Sequence, residues 1–281
     1  MRIRHGDKSG ARPESNRGRV GAPQVGGRHH VSGRDFPQTY HRGRRVNTFH
    51  IALKESKLYF ATPAAYIVGA MFLALTGVFF VFDITAPFAE ASVRGIVDWA
   101  SFFIIFLAPL LTMKLLAEEQ KLGTLELLLT SPVRDWEVVI GKYIASLLIL
   151  LAIVAVTLYY VLLLYVFGEP DTGPILSGYL GLILYGAAAL GIGMLGSSIS
   201  SNQIVSAVVG IAILLMLSYV HLIGGIVTGL ASSILDGMSM NQHIADFSRG
   251  VIDTSSVVFF LSLAAVFIFL TIRSLETRRW R

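Results

Sequence analysis

The chain of 281 residues contains no cysteine and few charged residues. Without cysteine it can form no disulfide, no thiol nucleophile and no cysteine-ligated metal site. Charged residues make up 15% of the chain and hydrophobic residues 54%, whereas soluble domains carry about 25% charged residues. No polar segment after residue 47 reaches the roughly 50 residues of a small soluble domain. The composition therefore excludes a soluble or cysteine-dependent enzyme and indicates a membrane protein.

The sequence also lacks the G-x-x-x-x-G-K-[ST] motif that cradles nucleotide phosphates. The pair Gly123-Thr124 has neither the glycine spacing nor the lysine of that motif. No metalloprotease pattern of the H-E-x-x-H type accompanies the carboxylates Glu118, Glu119 and Glu126. We therefore predict that the chain is not an enzyme and binds no cofactor of its own.

Residues 1–47 differ from the rest of the chain. They contain eleven Lys or Arg residues against three Asp or Glu residues, and they are rich in Gly and His. They lack the apolar centre of a signal peptide, so we expect a disordered basic extension. A basic arm that binds anionic lipid is the alternative. Residues 1–45 are also expected to be a translated leader, because a GUG start codon read internally gives a valine such as Val46.

Apolar runs long enough to cross a bilayer recur along the remainder of the chain. They are continuous rather than alternating, which favours helices over a barrel of strands. From Thr172 to Leu235 no Asp, Glu, Lys or Arg occurs, and the polar residues 197–203 divide this stretch into two spans. The predicted fold is an all-α polytopic membrane protein with six transmembrane helices, at about 64–82, 96–116, 138–167, 175–196, 204–228 and 254–272.

A short helix is predicted before the first span. Residues 48–62 carry apolar and basic side chains on different faces, which is typical of a helix lying in the headgroup region. The apolar residues are Phe49, Leu53 and Phe60, and the basic residues are His50, Lys54 and Lys57. The six-span region then covers 63–273, and a basic cytoplasmic tail covers 274–281.

The distribution of basic residues predicts the orientation in the membrane. With both termini in the cytoplasm, the inner segments after residue 47 hold ten Lys or Arg residues, and the outer loops hold only Arg94 and Arg249. Basic residues concentrate on the cytoplasmic side of membrane proteins. We therefore expect a multi-pass protein of the cell membrane with both termini and the loop at 117–137 in the cytoplasm.

The loop at 117–137 combines charge, defined breaks and apolar residues. It contains a charged step at 118–121, a break at Gly123, an apolar turn at 125–129 and a stop at Ser131-Pro132. This combination favours a surface on which a soluble partner docks. Leucines that pack against the protein's own helix ends are the alternative interpretation.

The segment AEEQKLGTLELLLTSPVRDWEVVIGKY, at 117–143, resembles the first cytoplasmic loop of type-2 ABC-transporter permeases. The resemblance covers about Val46 to Arg273, including FHIALKESKLYFATPAAYIV and HIADFSRGVIDTSSVVFFLS. Within that family the chain is most similar to the gliding-motility and nitrous-oxide-reductase-maturation branch.

The resemblance implies the permease subunit of an exporter. An elbow helix at 48–62 and a coupling helix at 117–137 would be present, and a separate ATPase would bind ATP and Mg. Two permease chains, identical or paired with a sister, would lie in membrane lipid above two ATPase subunits, without nucleic acid. The residues implied to contact the ATPase are Glu118, Glu119, Gly123, Thr124, Leu125, Glu126, Leu128, Leu129 and Pro132.

An ATP-independent transporter or channel is the alternative function. Such proteins place ionisable residues inside the membrane. Here Lys142 lies near the end of a predicted span, and His221 is the one ionisable residue expected well inside a span. A single histidine is more often packed or hydrogen-bonded than part of a proton relay.

Three further groups of residues have candidate roles. Thioether and imidazole ligands suit Cu(I), so Met238, Met240 and His243 are candidate metal ligands, although packing is the commoner role of such residues. Asp253 is expected to start the last helix or to pair with Arg249. Small residues are expected to let helices approach closely: Gly69, Gly186, Gly191, Gly193 and Gly196.

Overall fold

The computed structural model describes residues 48–86, 92–124, 134–224 and 229–279, and all regular structure in these ranges is helical. The all-α prediction is confirmed for this part of the chain, and the predicted extension at 1–47 lies outside it. The helices are α1 (Thr48–Ala61), α2 (Pro63–Thr85), α3 (Arg94–Leu122), α4 (Asp135–Phe167), α5 (Thr172–Ile199), α6 (Gln203–Tyr219), α7 (His221–Gly224), α8 (Leu230–Met238), α9 (Met240–Ser248) and α10 (Thr254–Arg279).

Five of the described helices are long and apolar enough to cross a membrane, namely α2, α3, α4, α5 and α10. Each contains its predicted span and extends beyond it. The prediction ended the second span at 116, but α3 continues to Leu122, because Glu, Gln and Lys are good helix formers. Similarly, α10 continues to Arg279, so most of the predicted tail at 274–281 is helical.

The bounds predicted for the fifth span, 204–228, are wrong. α6 ends at Tyr219 and has 17 residues, a length of about 26 Å, whereas a bilayer core is about 30 Å thick. The next helix, α7, ends at Gly224, the first of two consecutive glycines, and glycine is a poor helix former. The predicted span was extended through the uncharged residues up to 228, but the absence of charge does not show where a helix ends.

The segment between α6 and α10, predicted as an outer loop, contains the short helices α8 and α9. α9 packs against α3, α5 and α6, and Met240, Ile244 and Phe247 on it are buried. The Ser177 hydroxyl of α5 donates a hydrogen bond of 2.7 Å to the carbonyl oxygen of Phe247. This segment is therefore part of the core of the bundle.

α5 lies at the centre of the bundle. In its most apolar 18-residue window 72% of the residues are buried, against 22% in α2 and in α10. The predicted close approaches are confirmed, because a neighbouring residue lies within 3.3 Å of the position that a Cβ atom would take at each glycine. These neighbours are Leu150 at Gly186, Ala264 at Gly191, Thr112 and Pro109 at Gly193, Ser206 at Gly196, and Ile153 at Gly69.

We predict that Gly196→Ala destabilises the bundle. An added Cβ would lie 2.8 Å from the carbonyl oxygen of Ser206 and 3.2 Å from the amide nitrogen of Gly210, so the backbone of α6 must move. Overpacking of this kind costs about 1–3 kcal/mol, measurable as a lower melting temperature of the purified chain in detergent. Gly173→Ala in the same helix is the control, because its nearest contact would be 3.6 Å. Equal melting temperatures for the two variants would contradict the packing.

Candidate functional site at the junction of α1, α3 and α4

The end of α3 is defined by Gly123, which has a left-handed backbone with φ of 69°. Glycine adopts this conformation without a steric cost, and its amide donates to the carbonyl oxygen of Gln120. The Thr124 hydroxyl donates to the carbonyl oxygen of Glu119 at 3.3 Å. These bonds satisfy carbonyl groups that the last helical turn leaves without partners. The loop predicted at 117–137 therefore begins only after Leu122.

The start of α4 is defined by acidic residues. Asp135 and Glu137 lie in its first turn, where the positive end of the helix dipole stabilises negative charge. The Glu137 carboxylate accepts a hydrogen bond of 3.1 Å from the backbone amide of Arg134. Two capped helix ends thus flank residues 125–133, which lie outside the described residues.

Behind these two ends, Lys142 of α4 lies between two carboxylates. Its ammonium group is 2.8 Å from Oε1 of Glu119 on α3 and 3.1 Å from Oε1 of Glu55 on α1. The lysine side chain is 3% exposed, and the glutamates are 28% and 17% exposed respectively. We call these three residues the Lys142 cluster.

The buried charge of Lys142 is stable only because Glu55 and Glu119 pair with it. Moving an ammonium ion out of water costs several kcal/mol, which is offset only if carboxylates or other acceptors surround it. Separating α1 or α3 from α4 would remove one of the two acceptors from a buried cation. The cluster therefore holds three helix segments together that are distant in sequence.

A hydrogen bond between α1 and α3 reinforces this junction. The Tyr59 hydroxyl of α1 donates to the carbonyl oxygen of Leu111 on α3 at 2.6 Å. Burial raises the pKa of Tyr59, and the nearby charges of Glu55 and Glu118 raise it further, so the hydroxyl stays protonated and able to donate. The hydrogen bond fixes α1 against α3 one helical turn after Glu55.

α5 is joined to the same end of α3. The Ser197 hydroxyl accepts from the backbone amides of Leu116 and Ala117 at 3.1 and 3.0 Å. The Gln120 side-chain amide donates to the carbonyl oxygens of Ser197 and Ser198 at 3.3 and 3.0 Å. These four hydrogen bonds join the end of α3 to the central helix.

The predicted contact residues fall into three groups. Glu118 is exposed, whereas Glu119 is occupied by Lys142, an internal partner that the sequence did not assign. Oε2 of Glu119 is buried and has no hydrogen-bond partner among the described residues. Gly123 and Thr124 form the end of α3. The remaining predicted residues lie outside the described residues: Leu125, Glu126, Leu128, Leu129 and Pro132.

We did not predict roles for Glu55, Tyr59, Gln120 and Ser197 from the sequence. A lone lysine in an apolar helix is a signal that partners must exist, and Lys142 gave that signal. It did not identify the partners, since Glu119 is 23 residues away and Glu55 is 87 residues away.

The candidate metal ligands do not share one environment. Met238 is 47% exposed, whereas Met240 is fully buried in the core. Both ring nitrogens of His243 are within hydrogen-bonding distance of protein oxygens, at 2.8 Å from the Ser256 hydroxyl and 3.1 Å from the Gly237 carbonyl. Packing accounts for Met240 and hydrogen bonding for His243.

The position expected for His221 inside the fifth span is wrong. His221 follows the end of α6 and begins α7, and its Nδ1 lies 2.8 Å from the Ser239 hydroxyl. The same hydroxyl donates to the carbonyl oxygen of Ser218 at 2.7 Å. His221 therefore belongs to the contact that fixes the turn after α6.

Asp253 has the helix-start role that the sequence predicts. Its carboxylate accepts bonds from the amide of Ser255 at 3.1 Å and the hydroxyl of Ser255 at 2.7 Å. These two bonds lower the pKa of Asp253 below its usual value, which keeps the cap charged at neutral pH.

Comparison with known proteins gives one family. Residues 38–280 match the family described as ABC-2 family transporter protein. Over 100 residues the chain is 31% identical to the probable multidrug ABC transporter permease YbhR of Escherichia coli strain K12, and the O157:H7 protein of that name matches equally. The match covers 36% of this chain and 26% of those relatives. The chain thus spans about a quarter of the length of the curated relatives it matches.

We predict that Lys142→Met strongly destabilises the chain. It leaves Glu55 and Glu119 facing each other without a cation, and breaking a buried ion pair from one side costs about 3–5 kcal/mol. Arg273→Gln is the matched control, because Arg273 and Glu276 form a pair whose side chains are 61% and 38% exposed. Exposed pairs contribute about 0–1 kcal/mol. Thermal unfolding in detergent measures both.

Neutralising the two carboxylates as well should restore part of this stability. The variant Glu55→Gln, Glu119→Gln, Lys142→Met retains no uncompensated charge, so its melting temperature should lie between those of Lys142→Met and the wild type. A Lys142→Met protein as stable as the Arg273→Gln control would show that the cluster does not hold the junction.

Proposed function

We propose that this chain is the permease subunit of an ATP-driven exporter, because it belongs to the ABC-2 transporter family. We expect a separate ATPase to hydrolyse ATP, because the G-x-x-x-x-G-K-[ST] motif does not occur in these 281 residues. The observation that best supports the proposal is the Lys142 cluster, which lies next to the helix ends that flank the proposed ATPase contact. Two permease chains, identical or sister, form the membrane part.

The orientation proposed for the chain puts both termini and residues 117–137 in the cytoplasm. It rests on the excess of basic residues on that side. In this orientation the capped ends of α3 and α4 point toward the compartment that contains ATP. Glu118 is exposed at the end of α3 and is available to the ATPase in this orientation.

The proposed mechanism is a displacement of the junction as one body. Closure of the ATPase dimer moves residues 125–133, which pull on the ends of α3 and α4. The Lys142 cluster makes α1 follow, and the Ser197 contact transmits the movement to α5. For ATP to drive the change, the loop must bind one state of the ATPase more tightly than the other.

The ATP-independent alternative has less support. A proton or ion relay needs ionisable groups at mid-membrane. Among the described residues, Lys142 is already paired with two carboxylates, and His221 lies beyond the end of α6. A charge pair that holds helix ends together fits mechanical transmission better than ion binding.

Co-purification with the ATPase tests the class of function. We predict that the chain binds a separate ATPase and that the purified chain alone hydrolyses no ATP. Leu128→Asp with Leu129→Asp should weaken that association, since burying a carboxylate at an apolar contact is costly. Val251→Asp with Ile252→Asp is the control, because these residues are 55% and 57% exposed on the proposed opposite side. Wild-type recovery of the ATPase by the leucine variant would contradict the docking assignment.

Transport per ATP tests the transmission role of the cluster. The variant Glu55→Gln, Lys142→Gln, Glu119→Gln keeps polar side chains but removes the charges that join α1, α3 and α4. We expect it to bind the ATPase normally and to move less substrate per ATP hydrolysed in reconstituted vesicles. An unchanged ratio, with ATPase binding intact, would limit the cluster to a role in stability.

A further inference from the structure

Two cavities adjoin along α2 and α3. One, of about 380 Å³, is bounded by α1, the start of α2 and the charged end of α3. The other, of about 310 Å³, lies farther along α2 and α3. Val68 and Leu110 line both cavities, so the two are adjacent, and we call them together the α2–α3 groove.

The groove changes from charged to apolar along its length. Its first part is lined by Lys54, Lys114 and Glu118 together with the Lys142 cluster. Its second part is lined only by apolar side chains. These are Val68, Met71, Phe72, Leu75, Phe103, Phe106, Leu107 and Leu110. A ligand that fills the groove must therefore have a charged head and an apolar tail.

Three lysines and three glutamates line the mouth, which suits a head that carries both an anionic and a cationic group. Lys142 is already compensated by Glu55 and Glu119. Lys54 and Lys114 form no ion pair with any residue in the described ranges, so two lysine ammonium groups remain for an anionic group. Lysine binds phosphate as a point charge without demanding one geometry. Glu118, across the same mouth, suits the amine of a zwitterionic headgroup.

The length of the groove matches one leaflet of a bilayer. Phe103, Leu107, Leu110 and Lys114 recur at spacings of three and four, so they share one face of α3. Phe103 lies eleven residues before Lys114, a distance of about 17 Å along a helix. Half of the hydrocarbon core measures about 15 Å. A headgroup at Lys114 would therefore place the end of an acyl chain near Phe103.

We propose that the α2–α3 groove is a binding site for one phospholipid of the leaflet that Lys114 faces. Lys54 and Lys114 bind its phosphate, and one acyl chain lies between α2 and α3 against Val68 and Leu110. Inorganic phosphate would leave the apolar part empty, and an uncharged apolar molecule would leave the lysines unpaired. The inference does not depend on coupling to an ATPase.

Native mass spectrometry of the full chain tests this site. The chain is stripped of lipid in detergent, titrated with phosphatidylethanolamine, and scored for copies with one bound lipid. Lys54→Gln with Lys114→Gln should weaken this first binding step roughly tenfold or more, since basic residues near a lipid headgroup each contribute measurably to affinity. Lys57→Gln is the control, because Lys57 is an exposed lysine of α1 that does not line the groove.

A second pair of variants tests the apolar part. Leu110→Trp fills the groove and should also remove the first bound lipid. Leu162→Trp is its control, because Leu162 on α4 is 57% exposed and lies outside the groove. Equal losses for the two tryptophan variants would identify unspecific lipid around the bundle and overturn the proposal.

Three other results would also overturn it. Equal loss in Lys57→Gln and the double lysine variant would mean general surface attraction. Competition by inorganic phosphate as strong as that by lipid would mean an anion site without a chain site. A shift from two-chain to one-chain species in Leu110→Trp, with lipid binding unchanged, would mean that a second copy covers the groove.

Discussion

The buried ammonium group of Lys142 is the constraint on which this end of the molecule depends. A cation that is 3% exposed cannot be left without acceptors, so α1 and α3 must each bring a carboxylate to α4. The two contacts are made by Glu55 and Glu119. Because Ser197 and Gln120 join α3 to α5 in the same region, the charge pairing of one lysine organises four helices behind the loop at 125–133.

Most of the bundle could be predicted from hydropathy and charge. The spans containing α2, α3, α4, α5 and α10 follow from apolar runs, and the role of Gly123 follows from its freedom at positive φ. The glycines of α5 predicted close helix contacts, because only small residues let backbones approach. These features are local, so the neighbouring sequence contains the information that determines them.

The remainder depends on contacts between distant residues. The end of α6 and the burial of α9 depend on hydrogen bonds such as Ser239 to Ser218 and Ser177 to Phe247. No periodic pattern reveals them. Glu119 was predicted from the sequence to contact the ATPase, whereas in the structure it pairs with Lys142. A charged residue near a helix end has the same appearance in sequence whether its partner is internal or external.

We propose that the Lys142 cluster makes the ends of α1, α3 and α4 move together. The absence of cysteine allows spin labels to be placed at Lys57→Cys and Lys121→Cys, exposed positions on α1 and α3. The distance between the labels is then measured with the ATPase bound, first without nucleotide and then trapped with ATP. Because α1 and α3 would move together, we expect one unchanged distance in both states. A change larger than the width of the distance distribution would show that α1 separates from α3 and would contradict the proposal.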